Sequence, residues 1–204
     1  MRERLRGVPA QYVPNGKTIP AVAVTDAERT ALRAEISAGA PLVAFFGLVY
    51  PNKGVDRLFE IADPARHHLL LVCELDPADE YQRSILERAQ SEPWRGRVTV
   101  TGFLPADKVG RLLAAADAVV FPFPDGIGPW STSVNAALAS GSLVVAISAG
   151  QEGGYDAERN LFLGNVAEMR EGLQRHLGTR RAPDTSDDWD RIAEQHERFY
   201  ERCA

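Results

Sequence analysis

The chain has 204 residues, 45% of them apolar, and a formal net charge of −5. That length and apolar share suit one substantial core, and the acidic balance argues against a general nucleic-acid binder, which presents a basic face. No stretch approaches the ~20 consecutive apolar residues of a membrane-spanning helix, and the basic opening MRERLRGVPAQ lacks an apolar signal-peptide core, so a cytoplasmic address is expected.

Residues 1–40 differ in texture from the rest. VPAQYVPNGKTIPAVAV is rich in Pro and Gly with a PNG turn, and TDAERTALRAEISAG reads as a helix that starts at Thr25 or Asp26 and stops at Gly39. This is expected to be a lead-in from an upstream element.

Five apolar runs then recur, each followed by a polar turn: PLVAFFG (41–47), HLLLVCEL (68–75), RVTVTGFL (97–104), DAVVFPF (117–123) and SLVVAIS (142–148). Their hydrophobicity is mostly continuous, the pattern of parallel strands covered on both faces. Between them lie segments of helical spacing: Val55, Leu58, Phe59 and Ala62; Tyr81, Ile85 and Ala89; Val109, Leu112, Leu113 and Ala116; and STSVNAALAS. Alternating strands and helices predict an α/β domain over 41–182, a Rossmann-like parallel sheet with helices on both faces. A short strand at NLFLG and a helix carrying Val166, Met169 and Leu173 follow. Trp189, Ile192, Ala193, His196 and Tyr200 mark a closing helix in 183–204.

In an open parallel sheet, ligands gather beyond the carboxyl ends of the strands. Three loops at that edge are unusual. GLVYPNKGVD (47–56) combines a glycine with a Lys-Gly pair, in the wrong order for a P-loop. Lys53 at the start of a helix would suit an anion; equally, Pro51 and Asn52 would simply start the helix and leave Lys53 solvated. FPFPDGIGPWSTSVNAALASG (121–141) places Ser131, Thr132 and Ser133 at a helix start, where they would hold phosphate or ribose oxygens or serve as an N-cap. Asp125 would accept sugar hydroxyls or belong to an Asp-Gly turn. In TGFLPADK, Gly102 and Phe103 would flank a planar base, although Phe103 would also suit a core.

Other candidates are weaker. Asp188 and Asp190 have a spacing that can hold a divalent metal, but Ser186 or Asp187 explains them better as the cap of the last helix. His67, His68, His176 and His196 fit surface or packing roles. Cys73 and Cys203 read as unpaired thiols of a reducing compartment.

Together, VPNG near residue 13, FFGLVYPNKGVDRL, RVTVTGFLPADKVGRLLAAADAVVFPF, AALASGSLVVA and WDRIAEQHERFYE resemble, in order and over nearly the whole chain, one family. It is the C-terminal, nucleotide-sugar-binding domain of GT-B fold retaining glycosyltransferases of the family 4, or group 1, type. The resemblance implies transfer of a sugar from a UDP-, GDP- or ADP-sugar to an acceptor, with no cofactor and no metal. The acceptor would be held by an N-terminal GT-B domain, in cis or on a separate chain. Lys53 would neutralise the leaving diphosphate and Asp125 would orient the sugar, as catalytic groups. Gly47, Gly54, Gly102, Phe103, Gly126, Ser131, Thr132, Ser133 and Asn135 would bind the donor. A polysaccharide or lipid-carrier acceptor would place the protein at the inner membrane face.

Three departures stand against that pattern. Leu48 occupies the place of an arginine that often follows the first glycine, and Ala136 replaces the second of two glutamates, which usually holds the ribose. The acceptor half is absent from the chain, so the isolated chain is expected to be inactive. The alternative is a degenerate, non-catalytic GT-B module with a structural or regulatory role. A sugar-nucleotide epimerase of the same fold would need more carboxylates than these loops offer.

Overall fold

The computed structural model describes residues 10, 11, 13, 15–185 and 188–203. Pro14 of the expected crossover stretch and the caps expected at Ser186 or Asp187 lie outside the described residues. Helix α1 (Asp26–Ser37) opens on Thr25, whose hydroxyl accepts the Glu28 N–H while the Glu28 carboxylate accepts the Thr25 N–H. This reciprocal pair satisfies two backbone donors that the helix start leaves free. The left-handed cap is Ala38 (φ 51°), one residue before the expected Gly39.

The sheet contains β1 (Leu42–Phe46), β2 (His68–Val72), β3 (Val98–Val100), β4 (Ala118–Phe121), β5 (Leu143–Ile147), β6 (Gly154–Asp156) and β7 (Leu161–Gly164). Its order is β3-β2-β1-β4-β5-β7-β6, parallel except for the antiparallel β6–β7 pair. The helices α3 (Glu80–Gln90), α4 (Ala106–Ala115), α5 (Thr132–Ala139), α6 (Val166–His176) and α7 (Asp188–Cys203) complete the fold. Strands β1, β2, β4 and β5 are buried along almost their whole length, as continuous apolar runs require when helices cover both faces. This is the α/β, Rossmann-like, mostly parallel sheet that the run pattern predicts.

One helix differs from expectation. The segment after β1 is a pair of 3-10 turns, Pro51–Lys53 and Val55–Arg57, followed by a single α turn, α2 (Leu58–Ile61). Gly54 separates the two 3-10 turns in the left-handed conformation (φ 59°), which only glycine adopts without strain. Lys53 therefore ends a tight turn; it does not stand at the start of a long helix.

At the amino edge of the sheet, Asp117 fixes the start of β4. Its carboxylate accepts the Leu42 N–H at 2.8 Å and pairs with Arg33 of α1. The Arg180 guanidinium donates to the carbonyls of Ala114, Ala115 and Ala116, which α4 leaves without helical partners. These polar ties hold the amino edge together, opposite the edge where the long loops lie.

Candidate functional site

The chain leaves β1 toward β2 and β3 on one side and returns as β4 on the other, so the direction of winding reverses between β1 and β4. A crevice forms at such a reversal, beyond the carboxyl ends of the strands. Here it is a cavity of about 480 Å³, lined from the loop after β1 by Gly47, Leu48 and Lys53 and from the start of α5 by Thr132 and Ser133. Gly102 and Phe103 line it from the loop after β3, and Phe123 from the loop after β4.

Each of these is positioned by local structure. Gly47 has φ 138°, a backbone conformation that side-chain-bearing residues rarely adopt, and it lies beside Ser133 at the start of α5. The Lys53 ammonium rests over the Phe123 ring, 4.3 Å from its centroid. Phe123 makes an edge-to-face contact with Phe121, which in turn packs against Phe45. The charge is thus mounted on a row of aromatic rings that reaches into the core, an arrangement that limits its motion.

Helix α5 begins at Thr132 without a side-chain cap on its first N–H groups. Ser131 occupies the cap position, but its hydroxyl accepts no helix N–H. Uncapped N–H donors at the positive end of a helix dipole attract an anion. Lys53 and this helix start face one cavity, where Lys53 is the one basic side chain lining it among the described residues.

Phe103 is 84% exposed on the cavity rim, not in the core, and leaves a flat ring open to a planar ligand. Gly102 beside it, at φ 70°, has open space where a side chain would project.

The remaining predicted residues lie outside the cavity lining. Gly54 is buried, with the Pro122 carbonyl oxygen where its side chain would be; it serves the approach of two loops. Asp125 is exposed in a turn closed by the Gly126 N–H donating to the Phe123 carbonyl at 2.8 Å. Gly126 packs against Ala149, again with no room for a side chain. Asn135 donates to the Pro129 carbonyl at 3.0 Å and so secures the loop that leads into α5.

Leu48, at the position where the resemblance expects an arginine, lines the cavity and is 69% exposed, and Ala136, where it expects a glutamate, is buried at 2% exposure. Among the described residues no cluster of three or more His, Cys, Asp or Glu is placed to hold a metal ion, and no helix is long and apolar enough to cross a membrane.

Sequence reasoning missed several lining residues. Thr18 and Ile19 of the lead-in reach the cavity because that segment lies across α4, where the Pro20 carbonyl meets Gly110. Cys73 and Glu74 line it from the end of β2. The apolar run HLLLVCEL does signal a strand edge there, but not which side chain turns inward. Burial pushes the Cys73 thiol up to about 12.

A second cleft of about 570 Å³ lies at the amino edge, between the α2–β2 and α3–β3 connections. Its arginines are already engaged: Arg170 with the Glu60 carbonyl, and Arg88 with the Asp56 carbonyl and the Phe59 ring. No residue predicted for the site lies there.

Comparison with solved structures finds the same fold. Sucrose-phosphate synthase from Thermosynechococcus elongatus aligns over 94% of this chain and 52% of its own, with a TM-score of 0.71 and 22% identity. Anabaena HepE, solved in complex with UDP and glucose, aligns over 84% of this chain and 48% of its own, with a TM-score of 0.59 and 20% identity. The C-terminal domain of the group 1 glycosyl transferase LpcC from Francisella tularensis aligns over 89% of this chain and 98% of its own, with a TM-score of 0.63 and 16% identity. The chain thus spans about half the length of the first of these and nearly all of the excised C-terminal domain. No curated protein matches significantly by sequence. The sequence profile of the glycosyl transferases group 1 matches residues 40–178, most of the described sheet and its helices, and the chain belongs to that family.

Proposed function

We propose that the cavity at the β1/β4 reversal binds the nucleoside diphosphate of a sugar donor. The sugar would then pass, with retention of configuration, to an acceptor held by an N-terminal domain supplied in cis or by a separate chain. The observation that carries this reading is the convergence of Lys53, the Gly47 loop and the uncapped start of α5 on one cavity. Negative charge develops on the diphosphate as the glycosidic bond to it breaks. A fixed ammonium and helix N–H donors stabilise that charge more than they stabilise the intact donor, which lowers the barrier. Phe103 offers a face for the base.

Asp125, exposed in its turn at the same edge, is suited to accept hydroxyls of the transferred sugar. Residues 1–40 serve as lead-in, 41–182 as the donor-binding domain and 183–204 as the closing helix. That the chain spans about half the length of sucrose-phosphate synthase supports acceptor positioning by a further domain.

A second reading, a degenerate module that keeps the fold for assembly or regulation, draws on exposed Leu48 and buried Ala136, at the positions where the family resemblance expects an arginine and a glutamate. Titration calorimetry of the chain with UDP, GDP, ADP and their sugar conjugates separates the two. The donor reading expects a Kd of about millimolar or tighter for at least one nucleotide. A folded chain that binds none would leave the non-catalytic module.

A further inference from the structure

The cavity carries opposite charges on two sides. Lys53 belongs to the loop after β1; Glu74, the first residue but one after β2, is the one acidic side chain lining the cavity among the described residues. The register pairs Phe46 with Val72 and Leu71 with Val100. The loops that follow these last pairs carry Leu48, Glu74 and Phe103 into the lining of the one cavity. Neighbouring strands lie about 4.8 Å apart, so Phe103 stands two strands from β1, and α5 with Lys53 gathers on the β1/β4 side.

A nucleoside diphosphate has its charge at one end and a planar base at the other. Lys53 attracts the diphosphate and Glu74 repels it, so both charges turn the ligand the same way, with its base toward Phe103 and Glu74. A carboxylate only accepts hydrogen bonds and therefore reads a base by its donors. Guanine presents two adjacent donors, the N1–H and the 2-amino group, which match the two oxygens of one carboxylate. Uracil presents a single N3–H between two carbonyl oxygens. Adenine and cytosine each set an amino donor beside an acceptor nitrogen, which the second carboxylate oxygen would oppose.

We propose that Glu74 selects the base of the bound nucleotide and that the cavity prefers a guanosine diphosphate donor. The inference rests on the donor-site reading above. Its test is titration calorimetry of the full chain, and of Glu74→Gln, with GDP, UDP and ADP in turn. Glu74 is exposed, and an unchanged thermal midpoint shows that the variant folds.

The expected result is GDP binding about tenfold tighter than UDP, with that advantage lost in Glu74→Gln while UDP affinity stays within about twofold. Equal or tighter binding of UDP, or an equal loss of all three nucleotides in the variant, overturns the assignment of Glu74 and leaves the donor site standing. No binding of any of the three to the unaltered chain overturns the donor site, and this inference with it.

Discussion

The Lys53 ammonium stands 4.3 Å from the centroid of the Phe123 ring, so the loop after β1 and the loop after β4 meet through a cation and an aromatic face. A contact of this kind contributes about 0.5–2 kcal/mol, more as water is excluded. It holds the positive charge at the winding reversal of the sheet, beside the first turn of α5.

Replacing Lys53 by Ala removes the one basic side chain lining the cavity among the described residues. Loss of a charge-assisted contact of ~1.5–3 kcal/mol weakens nucleotide binding about ten- to hundredfold, read as Kd by calorimetry. With Leu48 in place of a second cation, the upper end of that range is expected, and Lys53→Arg retains part of the affinity. An unchanged Kd in Lys53→Ala would remove Lys53 from the site.

Gly54→Ala tests the turn that carries Lys53. The backbone is left-handed there, and the new methyl group would collide with the Pro122 carbonyl oxygen. Left-handed strain alone costs about 1–2 kcal/mol, and the collision adds to it, so a lower denaturant midpoint together with weaker nucleotide binding is expected. A variant as stable as the parent would show that the two loops do not need this close approach.

Two histidines set a pH dependence of stability. His67 is buried, its Nδ1 accepting the Asp63 N–H at 3.0 Å, and burial holds its pKa below the usual 6.5. Burial does the same to His68, whose Nε2 contacts the Thr99 hydroxyl at 2.8 Å. The folded chain holds these rings neutral while the unfolded chain protonates them. Their stabilisation is therefore fully present above 6.5 and is lost as pH falls from there through the depressed folded-state values. Urea midpoints measured at steps from neutral to mildly acidic pH should fall, and the fall should shrink in His67→Gln. A flat profile over that interval would contradict the burial of these rings.

Cys73 lines the cavity but is buried, with its thiol pushed up to about 12, whereas Cys203 is exposed on α7. Thiolate is the reacting form, so a thiol reagent at mildly alkaline pH should modify Cys203 rapidly and Cys73 only on unfolding. Rapid modification of both in the native chain would show that the cavity floor opens to solvent.

The strands were legible because a two-sided sheet needs uninterrupted apolar runs, and Leu42–Phe46, His68–Val72 and Leu143–Ile147 are such runs. The helix after β1 was not, because Val55, Leu58 and Phe59 keep helical spacing while left-handed Gly54 and extended Ala62 confine α helix to one turn. Strand β6 escaped notice since Gly154–Asp156 is short and largely exposed, and only its pairing with β7 makes it a strand. For the site, loop position indicated Gly47, Lys53, Gly102, Phe103, Thr132 and Ser133 as cavity-lining residues. It could not foretell that Asn135 would turn to the Pro129 carbonyl, or that the lead-in would bring in Thr18 and Ile19. The first depends on the fold of the loop that leads into α5, and the second on a contact between segments far apart in the chain.

The most direct measurement is amide chemical-shift mapping of the isotopically labelled chain during titration with GDP and with UDP. Binding at the winding reversal should shift the amides of Gly47, Lys53, Gly102, Phe103, Thr132 and Ser133, with little change around Arg88, Trp94 and Arg170 in the cleft at the amino edge. Shifts confined to that opposite cleft, or absent from the first turn of α5, would contradict a diphosphate site built from Lys53 and the start of that helix.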